Sequence, residues 1–260
     1  MFSEIISLET YNTFLWIMAA VAVVVFVALY FVDAGYGYLF NPKFGMPIPN
    51  KVAWVVMECP VFFAMAALWW LSPVRFEVAP LVLFLIFEMH YFQRSFIFPM
   101  LIRGRSKMPV GIMLMGMIFN TLNAVMQGGW IFYLGPEQGY YDGWMAKPYI
   151  YIGIAVFLFG FVTNLHSDYI IRHLRKEGDT RHYIPRGGMF RYVSSANYFG
   201  ELVEWTGFAI ASWSWAGAVF VLWTFANLAP RSASLYKRYE REFGEEFTSL
   251  KRKRIIPFIY

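Results

Sequence analysis

Long apolar stretches alternate with short, polar, breaker-rich segments along the whole chain. The apolar runs cover residues 11–32, 52–71, 78–102, 110–134, 149–171, 195–213 and 215–230. Crossing about 30 Å of hydrocarbon takes roughly 20 apolar residues in a helix, so the pattern predicts an all-α membrane protein with about seven transmembrane helices. Breakers separate the runs: Asn41-Pro42 with Pro47 and Pro49, Ser72-Pro73, Gly104 with Pro109, Gly135-Pro136, and Ile184-Pro185-Arg186-Gly187-Gly188. Only a turn around Ser212–Gly217 divides the last two runs, so six spans plus a re-entrant segment is the alternative count. Residues 231–247 read as a short amphipathic helix whose Tyr236, Tyr239 and Phe243 share a face that would lie on the bilayer. No repeat, low-complexity tract or Ser/Gly linker divides the chain, so 1–260 is one multi-pass domain.

Composition agrees with this reading. The chain is 58% apolar, 21% aromatic and only 15% charged, far from the averages of soluble domains. Glu4 and Glu9 flank the first run in place of Lys or Arg, and that run is longer than the apolar segment of a cleaved signal peptide. Cys59 stands alone, so no intrachain disulfide framework exists.

Charge gives the orientation. The loops after spans one, three and five and the C-terminal tail carry 2, 3, 6 and 8 Lys/Arg, which is 19 of the 22 in the chain. The positive-inside rule then places the N-terminus outside and the C-terminus in the cytosol, as an odd number of spans requires. The net charge of +5 is therefore concentrated on one face. Positive-inside topology and attraction to anionic lipid account for the tail run Lys251-Arg252-Lys253-Arg254. A membrane-embedded chain has no separate basic domain to offer, which argues against nucleic acid as a partner.

Charged side chains at membrane depth are costly and mark functional sites. Glu58 lies in the second span, Glu88, His90, Tyr91 and Arg94 in the third, and Glu201 and Glu204 in the sixth, with Asn197 one turn before Glu201. Helical spacing places Tyr91 and Arg94 on one side and His90 and Arg94 nearly so. A neutral Glu beside a Tyr hydroxyl is a pair of donors suited to polarising a carbonyl oxygen. The competing reading is a buried Glu58–Arg94 tie between spans, with Tyr91 merely packing.

The segment 164–204 mixes cations, acids, amides and aromatics between two spans. Asn164, Asp168, Arg172 and Arg175 follow a helical stripe. Guanidinium forks suit phosphate, and Asp or Asn takes hydroxyls or an amide. Neither G-x-G-x-x-G nor G-x-x-x-x-G-K-[ST] occurs, no His/Cys spacing indicates a metal, and no G-x-S-x-G nucleophile motif is present.

Several longer segments resemble the steroid 5α-reductase (3-oxo-5α-steroid 4-dehydrogenase) family in the same order. They are AWVVMECP, HYFQRSFIFPMLIRGR, NAVMQGGW, the stretch from Asn164 to Trp205, and the closing IIPFIY, so the resemblance runs from about Ala53 to Tyr260. It implies NADPH-dependent reduction of the C4–C5 double bond of a 3-oxo-Δ4 steroid, with hydride to C5 and a proton to C4. Glu58 and Tyr91 would hold the 3-keto oxygen. Arg94, Arg105, Asn164, Asp168, Arg175, Asn197, Glu201, Arg231 and Tyr239 would hold the cofactor. The steroid pocket would come mainly from spans one to four and the NADPH site mainly from residues 160–260. The chain departs from the family pattern at Met57, where Gln is usual, and at Leu235, where His is frequent. Before residue 50 only Tyr36-Gly37 matches.

These readings predict a membrane reductase, monomeric, in the endoplasmic reticulum of a eukaryote or the inner membrane of a bacterium. Met57 motivates an alternative lipid substrate: a polyprenol, an enoyl thioester or another sterol double bond. A transporter or lipid-binding membrane protein is the reading from another class, although the paired half-repeats of many transporters are missing. Hydropathy alone also admits a methyltransferase using S-adenosylmethionine.

Overall fold

A computed structural model describes residues 6–32, 35, 39–104, 106–176, 179 and 181–260. Seven long helices dominate: α1 (Leu8–Phe31), α2 (Asn50–Leu71), α3 (Val78–Phe92), α4 (Val110–Gly129), α5 (Pro148–His173), α6 (Ala196–Ser212) and α7 (Trp215–Phe243). A short α8 (Glu245–Thr248) follows. Among the described residues, five segments are long and apolar enough to cross a membrane: Leu8–Phe31, Asn50–Leu71, Val78–Leu101, Val110–Glu137 and Pro148–His173. The exposed apolar residues on these helices, such as Ile17, Val24, Phe63 and Phe159, form a surface that hydrocarbon would cover.

Local chemistry sets the helix ends. Ser7 caps α1 by accepting from the Thr10 N–H at 3.1 Å, and Glu9 sits in the first turn beside the positive end of the helix. Helical structure does not stop at Gly135-Pro136, where the breaker pair predicts a loop. A π turn over Trp130–Leu134 leads into another turn, Gly135–Glu137. Proline tolerates the first turn of a helix, where its missing N–H has no partner to lose.

The tail is also longer than expected. α7 continues unbroken through Pro230 to Phe243, so residues 231–243 extend the last long helix rather than forming a separate one. Their aromatic stripe does not face lipid as expected. Tyr239 stacks on Phe247 at 5.2 Å and Tyr236 meets the same ring at 5.0 Å, with Phe247 almost fully buried. Folding back after Gly244, at φ +51°, gives the stripe an internal partner.

Backbone pairings join the basic loops to one another. Strands β1 (Pro47–Pro49) and β2 (Lys107–Pro109) pair antiparallel. The segment before α6 bridges to the tail, where the Ser194 N–H donates to the Lys253 carbonyl at 2.8 Å.

The helix pairs differ in intimacy. α5 and α6 touch at backbone level: a Cβ added to Gly160 would lie 2.2 Å from the Glu204 nitrogen, and one on Gly200 would lie 2.5 Å from the Asn164 nitrogen. Small residues allow this approach where lipid supplies no hydrophobic drive for association. α2 and α4 meet through side chains, with the Met57 sulfur seated over Gly116.

Candidate active site

Three helices converge on Glu58 and Tyr91. On α4, Asn120, Asn123 and Gln127 are spaced three and four apart and share one face. Asn120 Nδ2 donates to the Met57 carbonyl at 2.9 Å and to Glu58 Oε2 at 3.0 Å. One turn on, Asn123 Nδ2 donates to Tyr91 Oη at 3.1 Å. Gln127 Nε2 lies 3.3 Å from Asn123 Oδ1 and 3.0 Å from the Ala216 carbonyl on α7. Phe87, His90 and Trp205 surround the Tyr91 ring, with centroids at 4.7, 5.0 and 5.6 Å. The result is an aromatic-walled corner in which a carboxyl and a phenol are each tied to an amide. Such tying is what buried polar groups require.

A second cluster lies toward the basic face. After α3 the backbone forms a π turn over Gln93–Ile97, and Arg94 sits within it. π turns inside helices are often found at functional sites because they change where side chains point. Here Arg94 Nη1 meets Asp168 Oδ2 at 3.2 Å and Nη2 meets Glu201 Oε2 at 3.5 Å. Its guanidinium lies against the rings of Trp54 (4.8 Å) and Phe98 (4.5 Å). Paired carboxylates and ring faces offset the cost of burying the cation. His90 Nδ1 is 2.7 Å from Glu204 Oε1, and Asn164 Nδ2 donates to the Asn197 carbonyl at 3.0 Å.

Further along the basic face, Arg231 lines a cavity between α1 and α7 with Leu29, Val32, Asn227 and Ser234, and its guanidinium lies 5.9 Å from the Tyr198 ring centroid. Arg252 Nη1 donates to the Pro185 carbonyl at 2.8 Å. Outside the spans, Asp179 is held well below the usual carboxylate range by hydrogen bonds from Arg181 and Tyr183. Burial, with Arg175 and Arg238 adding to it, lowers the proton affinity of His182, whose Nδ1 is 2.6 Å from Glu242 Oε1. Among the described residues, the buried Ser195 Oγ has no hydrogen-bond partner. An unsatisfied buried hydroxyl can be completed by a ligand oxygen.

Residues 106–260 match the family described as 3-oxo-5-alpha-steroid 4-dehydrogenase. The human "3-oxo-5-alpha-steroid 4-dehydrogenase 1" is 40% identical over 94% of this chain and 93% of its own length. The mouse protein of the same name is 41% identical over 92% of each. "Steroid 5-alpha-reductase DET2" of Arabidopsis thaliana is 36% identical over 90% of each. The chain belongs to the 3-oxo-5-alpha-steroid 4-dehydrogenase family.

Within this steroid reductase family member, the predicted residues separate into two groups. Glu58 and Tyr91 form the amide-tied corner. Arg94, Asp168 and Glu201 form one ionic cluster, with Asn164 and Asn197 linked beside them. Arg172 ends the same stripe in the last turn of α5, whereas Arg175 lies beyond the helix and is exposed. Arg231 and Tyr239 sit on the C-terminal half of α7. Arg105 and the Tyr36-Gly37 pair fall outside the described residues.

The expected shared side holds for His90 and Arg94, which both meet carboxylates of α6, whereas the Tyr91 hydroxyl is not bonded there but to Asn123 on α4. Nor is Glu58 bonded chiefly to Arg94: Asn120 holds Glu58, while Asp168 and Glu201 flank Arg94. Glu88 joins neither cluster. It is buried, and among the described residues neither of its oxygens has a hydrogen-bond partner. The sequence reading missed Asn120, Asn123 and Gln127, although three amides at helical spacing inside an apolar run were a usable signal.

Proposed function

We propose that the protein reduces the C4–C5 double bond of a 3-oxo-Δ4 steroid with NADPH, delivering hydride to C5 and a proton to C4. The observation that carries this reading is the corner of Glu58 and Tyr91, each held by an amide of α4. Negative charge grows on the 3-keto oxygen as C5 is reduced, and hydrogen bonds aimed at that oxygen offset it. Asn120 engages Glu58 at Oε2, leaving Oε1 to carry the acid proton toward the ketone. Bound NADPH supplies the hydride. Arg94, Asn164, Asp168, Arg172, Arg175, Asn197, Glu201, Arg231 and Tyr239 would hold it, together with Arg105. The guanidiniums take its phosphates, while amides and carboxylates take its hydroxyls and carboxamide.

In this reading α6 and α7 also cross the bilayer. Seven spans leave the N-terminus outside and the C-terminus in the cytosol, in the endoplasmic reticulum or a bacterial inner membrane. The pairing of basic loops with one another supports it. The protein would work as a monomer, with the steroid arriving through lipid and the cofactor from the cytosol.

The test is turnover of testosterone or progesterone by the purified protein in micelles, with NADPH and NADH as separate donors. Appearance of the 4,5-dihydro product with NADPH is the expected result. Failure to consume any Δ4-3-oxosteroid would sink the reading. Met57 favours a second reading, in which another lipid enone is reduced at the same corner. The residue beside Glu58 is apolar and packs onto Gly116. Competition between polyprenyl, thioester and steroid enones for NADPH oxidation separates the two.

A further inference from the structure

Tyr91 can polarise a carbonyl only if its own hydrogen points at the substrate, and a phenol beside an amide has two choices. Facing the amide oxygen, it donates to the amide. Facing the amide nitrogen, it accepts, and its hydrogen is left for another partner. Which side Asn123 presents is therefore decisive, and the structure fixes it from a distance. The Ala216 carbonyl on α7 only accepts, so the Gln127 group 3.0 Å from it must be the nitrogen. The same nitrogen lies 3.3 Å from the Asn123 side chain, which must therefore present its oxygen to Gln127 and its nitrogen to Tyr91. One backbone carbonyl thus orients two amides in series. Gln127 and Asn123 are both fully buried, so water does not compete for these bonds.

We propose that Gln127 is a positioning residue that sets the direction of the Tyr91 hydroxyl hydrogen, acting through Asn123 and anchored on the Ala216 carbonyl. This inference rests on the reading of Tyr91 as a donor to the 3-keto oxygen. Asn120 needs no such relay, because the nearby Met57 carbonyl orients its nitrogen directly. The two donors are therefore set independently, one from α2 itself and one from α7.

The test uses the full chain in micelles with NADPH and a Δ4-3-oxosteroid. Gln127→Glu has no N–H and at most one O–H, so it cannot donate to both Ala216 and Asn123, and Asn123 can reverse and take the Tyr91 hydrogen. Its kcat should fall on the order of 10-fold or more, approaching the loss from removing a donor outright, with KM changed much less. Asn123→Asp, which cannot donate to Tyr91, should behave alike and guards against misfolding of either variant. In the Tyr91→Phe background, Gln127→Glu should bring no further loss. The carbonyl stretch of bound steroid, read by difference infrared spectroscopy, should move back toward its free value in Gln127→Glu. An equal fold-loss in both backgrounds, or an unmoved carbonyl stretch, overturns the inference while leaving the donor reading intact. Full turnover in Tyr91→Phe alone overturns the donor reading and this inference with it.

Discussion

Two helix pairs carry the site, and they are built on opposite plans. α5 and α6 approach until backbone meets backbone, at Gly160 against Glu204 and at Gly200 against Asn164. Nothing there can yield, and the charged residues proposed for the cofactor stand on this seam. α2 and α4 meet instead through the flexible end of Met57 and through Asn120, beside the carboxyl proposed for the steroid ketone. The difference teaches that a constant ligand can be met by a rigid frame. The seam that faces a variable lipid is made of parts that adjust.

The sharpest way to break this comparison is to add a side chain to each seam. Gly160→Val should cost more than about 3 kcal/mol, beyond ordinary overpacking, and leave little folded protein in a thermal melt in micelles. Gly116→Ala meets only the Met57 thioether and should cost less than about 1.5 kcal/mol. Equal penalties would refute the contrast.

Next in size is Arg94→Met, which strips Asp168 and Glu201 of their shared cation. Removing one partner of a buried pair costs about 3–5 kcal/mol, and weaker NADPH binding by titration should accompany the lower melting temperature. At the other corner, Glu58→Gln and Tyr91→Phe should each lower kcat by about 10²-fold with NADPH affinity unchanged. A parallel loss of NADPH affinity would mean that the two clusters do not divide the work.

Smaller effects sharpen the picture. Glu88 belongs to neither seam, and replacing its unpartnered carboxyl by Leu should stabilise the protein by about 1–3 kcal/mol with turnover retained. A large fall in turnover would give Glu88 a part in the chemistry. The smallest effect concerns pH. His182 binds protons less readily when folded than when unfolded, so stability is full above its unfolded range, near pH 6.5. It declines as pH falls toward the lowered folded value. His182→Gln should flatten the drop in melting temperature between about pH 7 and 5.5.

Much of this was legible in the sequence. Helix positions followed the apolar runs, because a bilayer thickness imposes a length that local composition must meet. The stripe of Asn164 and Asp168 was readable, since spacing along one helix fixes a face. Partner choice between helices was not. Spacing puts Arg94 on one side of its helix with Tyr91, but nothing in that spacing says that its partners would be Asp168 on α5 and Glu201 on α6. The last apolar run ends at residue 230, yet α7 passes through Pro230 unbroken, because surrounding helices can support a backbone that local propensity would interrupt. Asn120, Asn123 and Gln127 were visible as amides, but their value lies in what they face.

The glycine contact between α5 and α6 also bears on how a wide, flat molecule reaches its place. Two helices locked at the backbone can travel only as one ribbon, so no doorway opens along their seam. α1 is different: it packs along α7 and carries a broad lipid-facing surface that includes Ile17, Val24 and Val27. A flat guest arriving from the bilayer would then have to enter elsewhere than between α5 and α6.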